Sequence, residues 1–108
     1  MPFIDLKKNN EKELIPGFQA KLIHTDGLTV GYFRIKAGSI LPEHYHVHEQ
    51  ISNVLEGEFE MTIDSNTQRL SPGMVAVIPS MSIHAGRAIT DCYILDVFNP
   101  VREDYKEN

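Results

Sequence analysis

The chain has 108 residues, of which 42% are hydrophobic, enough for one domain around one core and too few for two. A formal net charge of −5 leaves no basic face for phosphate, so nucleic acid is not expected as a partner, and no basic amphipathic stretch suggests a membrane surface. Cys92 is the only cysteine, which excludes an intrachain disulfide, and the opening MPFIDLKKNNEKEL holds no apolar run suited to a signal peptide or a membrane span, so a cytoplasmic location is expected.

Residues 1–17 read as a polar lead-in closed by Pro16-Gly17, with an edge strand as the alternative. His24, beside TDG, reads as a solvated turn histidine. From Phe18 onward short apolar segments alternate with turn signals, and none carries a helical period. LTVGYFRIK at 28–36 is rich in β-formers, with Phe33 and Ile35 on one face. QISNVLEGEFEMTI at 50–63 gives the clearest strand signal, because Phe59, Met61 and Ile63 alternate with Glu58, Glu60 and Thr62. DSN at 64–66 predicts a hairpin tip, followed by TQRL as a short return strand. Pro72-Gly73 turns the chain, MVAVIP predicts a buried strand, and Pro79 ends it. DCYILDVF at 91–98 is a last long strand stopped by Pro100, and 101–108 is a tail. Many short strands at regular spacing predict an all-β, single-domain antiparallel barrel or jelly roll over 18–100, whose mouth would admit a ligand.

PEHYHVHEQ at 42–50 concentrates the chemistry. Residues two apart on a strand point the same way, so His44 and His46 project together, as a metal requires of an imidazole pair. H-x-H alone is more often a solvated pair. Gln50 adds an amide oxygen, and His84, the only histidine of the second half, follows a proline-ended strand that a barrel would bring back across the interior. Three imidazoles and one oxygen suit a divalent zinc, nickel, iron or manganese ion, and ligand type does not choose among them. His48 has the same parity and reads as a rim residue, while Glu49 has the opposite parity and faces away.

These intervals resemble the cupin superfamily. Its first motif is matched by Gly38, five residues, His44, one residue, His46, three residues, Gln50, six residues and Gly57. Its second is matched by Gly73, five residues, Pro79, four residues and His84, with fifteen residues between Gly57 and Gly73 as in compact bacterial members. The resemblance implies a small double-stranded β-helix barrel with one divalent metal on His44, His46, Gln50 and His84, assembled as a homodimer. Three positions depart from the pattern. Gln50 stands for the usual glutamate, Met81 for a glycine, and Ala88 for an asparagine. With Met81 in place of glycine, the turn there is expected to avoid positive φ.

Glutamine in place of a ligating carboxylate removes one negative charge, so the ion would keep its full +2 charge. Such a site should attract anions and act as a stronger Lewis acid, and should stabilise a higher oxidation state poorly. The alternative is that Gln50 only hydrogen-bonds a ligating histidine.

On the last strand Cys92, Ile94, Asp96 and Phe98 share a face. A carboxylate there is costly unless paired, which predicts either an ion pair with Arg102, Arg34 or Arg87, or a general acid or base lining the cavity. Phe98 reads as a pocket wall or as core, and Arg102 as a fork for a substrate carboxylate or as a surface charge. This trio, with Gln50 and LEGEFE at 55–60, is similar to the KdgF-type cupins of pectin and alginate breakdown, which open the ring of 4,5-unsaturated monouronates to a linear keto acid. Carried over, Asp96 would move the proton, Arg102 would take the carboxylate of a small anionic substrate, and Phe98 would line the pocket. The alternatives are an iron-dependent dioxygenase of the cupin type and a non-catalytic module binding a metal or small molecule.

Overall fold

The computed structural model describes residues 2–106. Among the described residues, ten antiparallel strands form two facing sheets. They are β1 (Lys12–Ile15), β2 (Phe18–His24), β3 (Thr29–Ile35), β4 (Ile40–His44), β5 (Glu49–Glu56), β6 (Phe59–Ile63), β7 (Asn66–Leu70), β8 (Val75–Ile78), β9 (His84–Ala88) and β10 (Cys92–Asn99). One sheet runs β1-β2-β3-β10-β5-β8 and the other β4-β9-β6-β7, a jelly roll rather than an evenly closed barrel. The lead-in thus contributes β1, the outermost strand of the larger sheet.

Period-two alternation places each strand. Phe33 and Ile35 of β3, Phe59 and Met61 of β6, and Cys92, Ile94, Asp96 and Phe98 of β10 are all buried between the sheets. Asp64 and Ser65, both at positive φ, close the β6–β7 hairpin opposite the Ile63–Asn66 pair. Gly57 sits at φ 88°, where an added Cβ would collide with the Asp91 carbonyl, so this corner needs glycine.

Three sequence expectations are corrected. MVAVIP is not buried on both faces: Ala76 and Ile78 point inward, but Val75 and Val77 are 50% and 67% exposed. The strand lies at the sheet's edge, and only its inner face meets the second sheet. Met81 does adopt positive φ, at 69°. Its N–H donates to the His46 carbonyl at 2.8 Å, and the Ser82 N–H donates to the Pro79 carbonyl at 3.1 Å, so tertiary bonding holds a conformation that costs a side-chain-bearing residue about 1 kcal/mol. His24 is not a turn residue. It ends β2, half-buried, with Nδ1 2.8 Å from the Thr29 hydroxyl.

Candidate metal centre

Cross-strand register brings the two sequence motifs together. In the β4–β9 pair His44 lies opposite His84, and their ring centroids are 4.2 Å apart. The His46 ring is 4.9 Å from that of His84 and 5.5 Å from that of His44. One ring nitrogen from each of the three histidines lies within 4.8 Å of the others.

Hydrogen bonding fixes which nitrogen each ring presents. Nδ1 of His44 meets the Pro42 carbonyl at 2.8 Å, that of His46 the His48 carbonyl at 3.0 Å, and that of His84 the Ser82 carbonyl at 2.9 Å. A carbonyl only accepts, so each Nδ1 carries a proton and Nε2 is the nitrogen left to offer a lone pair to the cluster. His84 Nε2 is buried and has no hydrogen-bond partner. A buried lone pair left without a donor is unfavourable unless a cation satisfies it. Burial among the neighbouring rings also pushes the His84 pKa down to about 4. His46 is lowered too, first by burial and then by the nearby Arg102 charge. Both rings are therefore neutral at physiological pH, the form that ligates metal.

Gln50 points its oxygen into this cluster. Its amide nitrogen donates to the Ser52 hydroxyl and to Asp96 Oδ2, both at 3.1 Å, which turns Oε1 toward His46 Nε2 at 3.2 Å. With His46 Nδ1 protonated, that contact sets two lone pairs against each other. A positive ion between them turns repulsion into ligation. The donor set therefore fits a divalent cation, which would satisfy the orphaned His84 Nε2 and separate the His46 and Gln50 lone pairs.

The β5–β10 register places the remaining polar groups: Phe98 opposite Gln50 and Asp96 opposite Ser52. Asp96 is buried and makes no ion pair with Arg102, Arg34 or Arg87, which pair with Asp104, Glu11 and Glu60 instead. Ser52 and Gln50 hydrogen-bond its carboxylate, while Oδ1 is buried with no partner. Desolvation dominates these bonds and raises its pKa to about 7. A cavity of about 490 Å³ joins His44, His84 and Gln50 to Asp96, Phe98 and Arg102.

Arg102 is not a surface charge. Its guanidinium carbon sits 4.7 Å from the Phe98 ring centroid and 3.9 Å from that of Tyr105. Its Nε and Nη2 donate to Asp104 at 3.1 and 2.9 Å. Phe98 is both core and wall, since it is 2% exposed yet lines the cavity. His48 is half-buried with its ring 5.3 Å from that of His46 but does not line the cavity, and Glu49 is exposed. Ser52, Asp104 and Tyr105 are cavity residues that sequence reasoning missed. The parity of Ser52 with Gln50 was the available signal for the first, and the tail offered none for the other two.

A family model described as a cupin domain matches residues 31–98. Among solved structures, KdgF from Halomonas sp. is 30% identical with a TM-score of 0.91, covering 97% of this chain and 98% of its own. An RmlC-like cupin from Shewanella frigidimarina is 24% identical with a TM-score of 0.92, over 97% of this chain and 96% of that one. Oxalate decarboxylase from Bacillus subtilis is similar in fold, at 20% identity and a TM-score of 0.80, over 90% of this chain and 29% of its own. No curated protein matches. The chain belongs to the cupin family.

Proposed function

We propose that this cupin is a metal-dependent enzyme acting on a small anionic carbohydrate, with ring opening of a 4,5-unsaturated uronate as the specific reaction. The observation that carries the reading is the shared cavity, in which a metal-competent cluster, a carboxyl group with one bare oxygen and a stacked guanidinium face the same space. The likeness to KdgF supports the choice of substrate class.

His44, His46, Gln50 and His84 would hold the ion. Bound there, a divalent metal supplies Lewis acidity toward substrate oxygens, undiminished by any ligating carboxylate. Ring opening moves one proton from the anomeric hydroxyl to C4, breaks the C1–O5 bond and leaves carbonyls at C1 and C5. Asp96, with a pKa of about 7, is divided between acid and base near neutrality, as such a transfer requires. Its Oδ2 is pinned by the Gln50 amide, so Oδ1 is the oxygen that takes and returns the proton. Arg102 binds the substrate carboxylate through charge-assisted bonds, and Phe98 and Tyr105 hold the guanidinium plane and exclude water from it.

The test is to mix the protein with an unsaturated monouronate and follow the ultraviolet absorbance of its double bond. The reading expects a loss that chelator stops and that Asp96→Asn slows by at least about a hundredfold. No chelator-sensitive loss would remove the uronate reaction.

A further inference from the structure

Arg102 and Asp104 are unequal partners. The arginine side chain is 9% exposed and packs into the corner made by two perpendicular aromatic rings, whereas the aspartate is 59% exposed. The Arg102 N–H also donates to the Thr29 hydroxyl at 2.8 Å, which anchors the backbone beneath the guanidinium. Asp104 rides on a four-residue 3-10 turn, Glu103–Lys106, near the end of the described chain. Within this pair the cation is buried and the anion is exposed to solvent.

The Asp104 carboxylate uses both oxygens, one on Nε and one on Nη2, the two-point geometry that a ligand carboxylate would adopt on a guanidinium. Both residues line the cavity. A bare guanidinium against these two rings, 9% exposed, would be an uncompensated, largely desolvated charge. Asp104 compensates it in the resting protein, so Arg102 need not be desolvated afresh when ligand arrives.

We propose that Asp104 is an internal competitor for the Arg102 fork, and that a ligand carboxylate enters the cavity by displacing it. Resting on the anionic-substrate reading, this assigns Asp104 a role in specificity. A neutral sugar has nothing to exchange for the ion pair, whereas a carboxylate replaces like with like while the freed Asp104 returns to water. The exchange also keeps affinity for simple anions low, because every one of them must first break an ion pair.

The experiment uses zinc-loaded protein and two kinds of probe. Acetate carries the carboxylate without the sugar, and its binding is read at the Arg102 Nε–H resonance. Asp104→Asn keeps shape and removes charge, and Asp104→Ser serves as a second variant. Acetate should bind either variant roughly fivefold more tightly than wild type, the factor that corresponds to an ion pair of about 1 kcal/mol. Equal or weaker binding in the variants, or no movement of the Nε–H resonance in any protein, overturns the proposal. Galacturonate and galactose then test the parent reading separately. If galacturonate binds wild type no better than galactose, the anionic-sugar reading falls, while the acetate series still decides the role of Asp104.

Discussion

Strands β5 and β10 lie side by side and keep one register from Ile94–Val54 to Asn99–Glu49, yet the two ends of that stretch do different work. At one rung Val54 faces Ile94, both almost fully buried and surrounded by apolar side chains. Two rungs further Ser52 faces Asp96, and two beyond that Gln50 faces Phe98. The same pleat therefore carries an apolar core at one end and a polar site at the other. Folding asks only that every second residue point inward. The apolar end gains stability from each buried group. The polar end satisfies most of its groups through the Ser52–Gln50–Asp96 bonds and leaves His84 Nε2 and Asp96 Oδ1 open. Open buried acceptors cost stability in the free protein and are retained where a ligand completes them.

Substitutions at the two ends should separate these contributions. At the apolar end Phe59, 1% exposed, faces the core from the smaller sheet. Phe59→Ala should cost about 3–5 kcal/mol in denaturant unfolding, whether metal is present or not. At the polar end His84→Ala should leave the metal-free protein folded but weaken metal binding, by calorimetry, more than about a hundredfold. A comparable loss of metal-free stability in both variants would erase the distinction.

The next effect is pH-dependent. In metal-free protein the raised Asp96 pKa means that the folded state holds the proton more tightly than the unfolded chain. Its favourable contribution is complete below the ordinary carboxylate pKa and disappears as pH rises through about 7. Asp96→Asn should therefore melt increasingly above wild type from pH 4 to 7, reaching a gain of at least about 1 kcal/mol that then levels off. A gain independent of pH would mean that the carboxylate is not desolvated as described. The smallest effect sharpens the metal's charge: Gln50→Glu should weaken galacturonate binding about tenfold while tightening metal binding, and equal or tighter galacturonate binding would count against the amide argument.

Much of this contrast is written in residue parity. The inward faces of β3, β6 and β10 follow from their alternation, and His44 opposite His84 follows from motif intervals that resemble the cupins. Other features depend on position in the assembled sheets. MVAVIP reads as a buried strand because a continuous apolar run does not reveal that only one of its faces meets a second sheet. The conformation of Met81 reflects its bond to the His46 carbonyl, which no local pattern signals. Asp104 and Tyr105 enter the cavity because a short turn folds the tail back, held in part by the Lys12 ammonium donating to the Tyr105 carbonyl at 2.7 Å. The charges available to pair with Asp96 were legible, but strand register gave Arg87 to Glu60 and the C-terminal turn gave Arg102 to Asp104.

The central claim is that three imidazoles and one amide oxygen surround a single divalent ion. X-ray absorption at the metal edge, on protein purified without an affinity column and checked for one ion per chain, tests it most directly. The account predicts scattering from three imidazole rings plus at least one oxygen, with one ring lost in His84→Ala. A stoichiometric ion bound by fewer than three imidazoles, or no stoichiometric ion at all, would contradict it.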